Sequence, residues 1–594
     1  MKMETTDRVN KLRTSMVSNG IDAYIAPSSD PHLSEYLPDC WKLRAWLSGF
    51  TGSAGTLVVT TTKAALWTDS RYFLQAEQEL DGSGIDLCKL GLPDTPSIED
   101  WLGQNLEHGH TVGFDGRLLS YMQAAKLIKD IKQKGLKSNP KVDIINEIWV
   151  NRPDMPTGKA FDHELRYAGL AVNEKLTIIR EELTKNSANA CILSALDEVA
   201  WTFNIRGNDI EYNPVVMAYG FITLEKATLY IDPQKLSEEL ANRLTEQGVT
   251  IKNYDKIGKA VKSASAETIF ALDKLRINHW LYSLIPKESN TIKTLSIPTK
   301  LKAIKNPIEI ENIKQSLVKD GVAMCKFLHW VENGVGKEQI TETTIAEKLV
   351  ELRSEQEGFV SESFGTIAGY REHGAIVHYS ACAKTASQIK PEGFLLVDSG
   401  GQYLQGTTDI TRTLHLGKPS NEEMEDYTLV LKGMIQLSMA QFPAGTRGSQ
   451  LDILARMAMW NKGVNYGHGT GHGIGAFLNV HEGPQSIRQN ENPVTIEPGM
   501  IQSNEPGIYR AGKYGIRIEN LIICREAMET DSGKFYNFET ITLCPIDTTP
   551  IKVDMLAKEE KEWLNGYHKM VYERLAPNFS NELKDWLKVK TKEL

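Results

Sequence analysis

Residues 515–523 read GIRIENLII, and that alternation sets how the second half of the chain is read. Side chains along a strand point to opposite faces in turn, so Arg517 and Glu519 share one face and Ile516 and Ile518 the other. A charged pair in so apolar a strand is costly to bury without partners; it is either a cross-strand salt bridge or part of a site. Similar segments lie upstream. The apolar run MIQS (500–503) leads into the turn EPG, which Glu505 opens. In HGTGHGIG (468–475) His468 and His472 stand four apart, but Gly469, Gly471 and Gly473 make a helix costly there. In an extended chain residues 468, 470 and 472 share a face, and the bare backbone lets a ligand approach closely. TTDITRT (407–413) puts Thr407, Asp409 and Thr411 on one face, and Asp398 closes the apolar strand FLLV (394–397). Taken singly, Asp398 is a turn-former, Asp409 is ordinary and His468 is a core histidine held by backbone carbonyls.

The set is more telling than its members. Six of the 13 histidines fall between 373 and 481, a concentration expected where metal or proton chemistry occurs. Asp398, Asp409, His472, Glu505 and Glu519 each close or interrupt an apolar strand. Four carboxylates carry a charge that two divalent cations balance. One imidazole among oxygen ligands favours Mn²⁺-like ions, with Zn²⁺ or Co²⁺ as alternatives, over sulfur-rich structural zinc. Two adjacent ions can activate a bridging water and hold both oxygens of a tetrahedral intermediate.

Working outward, apolar residues recur at helical spacing over 308–333, 345–352 and 421–442. Strands are expected at 394–397, 407–414, 500–503 and 516–523, which makes this part α+β. The first half carries a weak internal repeat. LVVTTTKAALWTD (57–69) and GFITLEKATLYID (220–232) both read as hairpins, and each follows an apolar strand, at 22–26 and 189–193. Two copies of one α/β domain are expected, with linkers at NRPDMPT (151–157) and around Pro298 and Pro307.

The motifs VDSG (397–400), TTDITRT, HGTGHGIG, NEPG (504–507) and GIRIEN (515–520), in this order, resemble the pita-bread metallopeptidases, the family of methionine aminopeptidase, prolidase and aminopeptidase P. GFTGSAGT (49–56), WTDSRYF (67–73) and FLNVHEGP (477–484) extend the likeness along nearly the whole chain, toward the three-domain cytosolic aminopeptidase P members. The resemblance implies two creatinase-like α/β domains, 1–150 and 151–303, and a pita-bread catalytic domain, 304–594, with 535–594 as its C-terminal extension. It implies a peptidase that removes the first residue of peptides with proline second, using a hydroxide between two divalent ions. Asp398 would hold one ion, His472 and Glu505 the other, and Asp409 and Glu519 would bridge them. Glu505 would shuttle the proton and Arg517 would orient the carboxylates. His378, His468 and His481 would donate to the substrate or the developing oxyanion. Phe364, Val377 and Tyr509 would wall the proline ring, and Arg71, matched by Gln234 in the second copy, would reach the peptide's far end. A homodimer is also implied. Asn504 stands where the family often has Asp, at a position that is not a metal ligand.

Charge and composition restrict the alternatives. Lys and Arg total 67 against 76 Asp and Glu, a net charge of −9. With no long basic run beyond a modest one at 584–592, nucleic acid is not an expected partner. Seven scattered cysteines suggest neither a disulfide framework nor a zinc ribbon. Residues 1–19 are polar, and no apolar run reaches spanning length, so a cytoplasmic protein off the membrane is expected. Two other readings stay open: a prolidase restricted to dipeptides, and a binding protein on the same fold without catalysis.

Overall fold

The apolar runs AYIAP, TLVVT and AALWT form the centre of the first sheet as β1 (Ala23–Pro27), β2 (Thr56–Thr60) and β3 (Ala64–Thr68) of a computed structural model that describes residues 2–594. With β4 (Asp86–Lys89), β5 (Thr111–Phe114) and β6 (Lys137–Asn139) they make six strands in the order β4-β3-β2-β1-β5-β6. Both faces are covered. Leu57, Val59 and Leu66 join one apolar core, while Val58, Ala65 and Trp67 join another, as the two-residue period of a doubly buried strand requires.

The repeat read at 57–69 and 220–232 is a repeat of topology. A second sheet, β7 (Ala190–Leu193), β8 (Ala218–Thr223), β9 (Ala227–Ile231), β10 (Val249–Lys252), β11 (Ile269–Leu272) and β12 (Asn290–Lys293), has the order β10-β9-β8-β7-β11-β12. It reproduces the first strand for strand, with the same parallel and antiparallel pairings. Even the turn after each hairpin matches: Asp69 accepts the Arg71 N–H at 3.1 Å, and Asp232 accepts the Gln234 N–H at 3.0 Å. By its internal contacts the chain divides into two compact units, Met1–His163 with Leu170–Thr299, and Glu164–Gly169 with Lys300–Leu594. Both sheets therefore fall within one unit.

The first long helix of the second unit is Pro307–Gly334. Asn306 caps it by accepting the N–H groups of Ile308 and Glu309, and Pro307 takes the first position, where its missing N–H costs nothing. Three strands follow, with Phe394–Ser399 between Ile367–Tyr370 and Ile410–His415. A six-stranded sheet runs, in order, Gln441–Pro443, Gly533–Thr540, Asn520–Thr530, Ile501–Asn504, Gly471–Gly473 and Glu482–Ile487. The helices Asn421–Ser438 and Gly448–Trp460 pack against each other, and Lys558–Leu575 packs on the first of them. Among the described residues no helix is long and apolar enough to cross a membrane. All seven cysteines are free thiols, and only Cys382 is exposed.

Two expected strands are each broken once. The run 407–414 splits into Gly406–Thr407 and Ile410–His415, and 516–523 splits into Tyr514–Arg517 and Asn520–Thr530. The breaks fall at Asp409 and Glu519. There the backbone leaves its ladder so that a carboxylate can turn inward; Glu519 N–H instead bonds the Thr411 carbonyl at 3.1 Å.

Candidate metal centre

Strand register supplies the first pair. Asp398 lies opposite Thr411 across the strands Phe394–Ser399 and Ile410–His415. The Thr411 hydroxyl donates to Glu519 Oε2 at 2.8 Å and accepts from Arg517 Nε at 3.1 Å. Arg517 then donates through Nη2 to Asp398 Oδ2 at 2.6 Å and through Nη1 to the Tyr509 hydroxyl at 2.7 Å. One buried guanidinium thus ties two carboxylates to one frame.

His472 comes from the short strand Gly471–Gly473. Its Nδ1–H donates to the Gly473 carbonyl at 3.0 Å, which leaves the Nε2 lone pair turned toward acids. Nε2 lies 3.5 Å from Asp409 Oδ2 and 3.6 Å from Glu505 Oε1. Asp409, His472 and Glu519 each place a ligand atom within 4.8 Å of the others. A lone pair facing carboxylate oxygens at this spacing is repulsive unless a proton or a cation lies between them. Metal–ligand distances of about 2.0–2.2 Å suit such a gap.

The electrostatics agree. Asp409 and Glu505 are held well above the usual carboxylate range, first by burial and then by the charge of Glu519. Burial, then Asp398, pushes Glu519 up to about 8. Arg517 opposes these shifts, and His481 opposes that of Glu505. Asp398 Oδ1 is buried with no hydrogen-bond partner. Three buried carboxylates, the half-buried Glu505, one arginine and an unpartnered oxygen form a donor set that fits bound divalent cations.

The other nominated residues fall in several places. His481 stands edge-on to His472, ring centroids 4.3 Å apart. His468 is nearly buried; its Nδ1–H donates to the Gly469 carbonyl and its Nε2 accepts from the Tyr509 hydroxyl, both at 2.7 Å. In this tautomer His468 is oriented by its neighbours, and donation toward a substrate requires the Tyr509 contact to change. Phe364 is buried, while Val377 and His378 are half-buried in the segment after Tyr370. Arg71 belongs to the other unit, where Asp69 holds its guanidinium by two bonds of 2.8 Å.

The glycines of HGTGHG serve a different purpose from the one expected. A Cβ on Gly471 would lie 2.0 Å from the Ser503 carbonyl oxygen, and one on Gly473 would lie 2.5 Å from that of Glu482. At these two positions the bare backbone admits neighbouring strands rather than a ligand. Thr470 also leaves the face it was expected to share, since its hydroxyl donates to buried Asp452 at 2.5 Å.

Several supporting groups escaped the sequence reading. Ser503 Oγ accepts the His472 N–H at 3.1 Å and donates to Glu505 Oε1 at 3.2 Å, without any motif to mark it. Arg412, fully buried, donates to the carbonyls of Thr411, Glu519, Cys544 and Pro545, to Asn520 Oδ1 and to the Tyr567 hydroxyl, all between 2.6 and 3.0 Å. Its position opposite Asp409 in the alternation was the only available signal.

Comparison with known proteins follows the same division of the chain. Residues 311–526 match the model of metallopeptidase family M24, and 534–594 match the C-terminal region of peptidase M24. Residues 8–145 and 151–309 match creatinase/prolidase N-terminal domains. A probable Xaa-Pro aminopeptidase P of Sordaria macrospora is 43% identical, covering 99% of both chains. Aminopeptidase P2 of Arabidopsis thaliana is 41% identical, over 94% of this chain and 84% of its own. Among solved structures, an X-prolyl aminopeptidase from Caenorhabditis elegans, described as a cytosolic enzyme with a di-nuclear active site, superposes with a TM-score of 0.95, 34% identity and complete coverage of both chains.

Proposed function

The chain belongs to metallopeptidase family M24, with the Xaa-Pro aminopeptidase P proteins, and from that premise we propose that it is a metal-dependent aminopeptidase hydrolysing the N-terminal X–Pro bond of peptides. The observation that carries the reading is the convergence of Asp409, His472 and Glu519 on one point, with Glu505 and the Arg517-bound Asp398 beside them.

Asp398, Asp409, His472, Glu505 and Glu519 are the proposed ligands of two divalent ions, for which the oxygen-rich set favours Mn²⁺. When bound, the ions supply Lewis acidity and a nucleophile at neutral pH. Glu505 is assigned to take the proton of the attacking water at its carboxylate and to pass it to the leaving proline nitrogen. That nitrogen carries no N–H, so recognition falls to the ring and the carbonyls. Phe364, Val377 and Tyr509 are assigned to the ring. His378 and His481 are assigned to the carbonyls, with His468 set behind them by its bond to Tyr509. Arg517 fixes Asp398 and Tyr509 together. The part of Arg71 in selecting peptide length rests on the resemblance alone. The reading includes three domains, at 1–150, 151–303 and 304–594; the two like sheets and the two creatinase-type matches support it. A cytosolic location is supported by the worm enzyme. A homodimer is supported by Ile453, Met457 and Trp460, which line one face of the helix Gly448–Trp460 and are 46%, 44% and 40% exposed.

The test is cleavage of X-Pro-Y beside X-Pro, with metal analysis of the same preparation. Release of free X from X-Pro-Y, lost with chelator and restored by Mn²⁺, is expected. Activity on the dipeptide alone would make the protein a prolidase. No hydrolysis at full metal loading would leave a binding protein.

A further inference from the structure

The connection from the strand Ile367–Tyr370 to the strand Phe394–Ser399 carries Val377 and His378, yet its one named element is the short 3-10 turn Arg371–Ala375. Holding such a segment in one shape costs conformational entropy at every residue. Its start is fixed by backbone contact, since a Cβ on Gly515 would lie 1.7 Å from the Gly374 carbonyl oxygen.

The rest is gathered by one side chain. Glu342, the first residue of the helix Glu342–Ser354, is wholly buried. Its carboxylate accepts the Tyr370 N–H at 2.8 Å, His373 Nδ1–H at 2.9 Å, the Tyr379 hydroxyl at 3.0 Å and the Ser387 N–H at 2.7 Å. These four donors run from the residue before the turn to Ser387, across most of the loop. The positive end of the helix favours the anion, and the bond to Glu342 raises the pKa of His373. The His373 ring stacks on Tyr379 at 4.5 Å. Tyr379 packs in turn with Ile367 and Leu396, against which Tyr509 also lies, and Tyr509 bonds His468 and Arg517. The loop thus packs against Tyr509, which Arg517 joins to Asp398.

We propose that Glu342 is a positioning residue for peptide hydrolysis, holding residues 371–387 in the shape that presents His378 to the substrate. This rests on the assignment of His378 to the peptide. A glutamine at 342 offers one acceptor oxygen and an NH₂ group to four donors, so at least one bond is lost and the loop is released. The experiment compares E342Q, H378A and the double variant, fully metal-loaded, on X-Pro-Y peptides. E342Q is expected to lower kcat/KM by about 10- to 100-fold, chiefly through KM, with unchanged metal content. It is expected to add little in the H378A background, where the group it positions is gone. Full additivity, or wild-type KM in E342Q, overturns the proposal. Should E342Q fail to fold, Y379F removes one donor and keeps the ring; a several-fold rise in KM supports the proposal and none refutes it. Hydrogen exchange separates the two assignments. Faster exchange at 371–387 in E342Q beside a fully active H378A keeps the anchor and rejects the role of His378. Unchanged exchange rejects the anchor itself.

Discussion

Gly471→Ala tests how closely the metal centre depends on strand spacing. The added methyl would sit 2.0 Å from the Ser503 carbonyl oxygen, where a carbon–oxygen contact needs about 3.3 Å. About 1.3 Å must be found, and a backbone carbonyl within a sheet cannot swing aside as a flexible side chain would. The strand carrying His472 must therefore separate from Ile501–Asn504, the strand that leads to Glu505. Overpacking of this kind costs about 1–3 kcal/mol, offset by about 0.5–1 kcal/mol from replacing glycine in a strand. A net loss of about 1–2 kcal/mol is expected, read by urea unfolding. A displacement near 1 Å at His472 is expected to lower kcat/KM by about 10²-fold. Gly469→Ala is the control. Its methyl would meet nothing closer than Arg488 Cβ at 3.4 Å, and Gly469 has no positive φ, so stability and activity should match the parent. If G471A is as stable and active as G469A, the spacing of these strands does not fix the position of His472.

Further outcomes are expected elsewhere. His472→Ala and Asp409→Ala should each lose bound metal and turnover together; full activity in chelator-treated, metal-replenished buffer would reject both as ligands. Arg71→Ala should lower kcat/KM on tripeptides by about tenfold or more, the worth of one charged hydrogen bond, at unchanged metal content; an equal effect on every peptide length would count against it. Burial, aided by the charge of Arg412, depresses the pKa of His568 to about 4 in the folded chain, against about 6.5 when unfolded. Stability from keeping it neutral is therefore complete above pH 6.5 and lost as pH falls toward 4, by about 3 kcal/mol at most. A variant with His568→Gln should show a shallower acid dependence of unfolding over that range, and an identical slope would contradict it. Arg412→Met should leave several buried acceptors without a donor and cost about 3–5 kcal/mol; a melting curve like the parent's would refute that.

Much of the architecture could be read directly because its signals are local. The hairpins at 57–69 and 220–232 announce themselves by apolar runs around a polar turn, and the alternation in GIRIENLII puts Arg517 and Glu519 on one face, both buried in the fold. The breaks at Asp409 and Glu519 were not legible, because alternation continues through them while only tertiary contacts decide where the ladder stops. The role of Gly471 was misread for a related reason. A bare backbone looks alike whether a ligand or another strand fills the space beside it. Ser503 and Arg412 lay beyond local reading, since the partners that tie them to the site, His472 for Ser503 and Glu519 for Arg412, lie 31 and 107 residues away in the chain.

Arg412 makes the site depend on a segment that supplies none of its proposed ligands. The same guanidinium that braces the Glu519 carbonyl reaches Cys544, Pro545 and Tyr567, so a chain cut before residue 544 takes three of its buried acceptors away and is expected to loosen the hold on Glu519 as well.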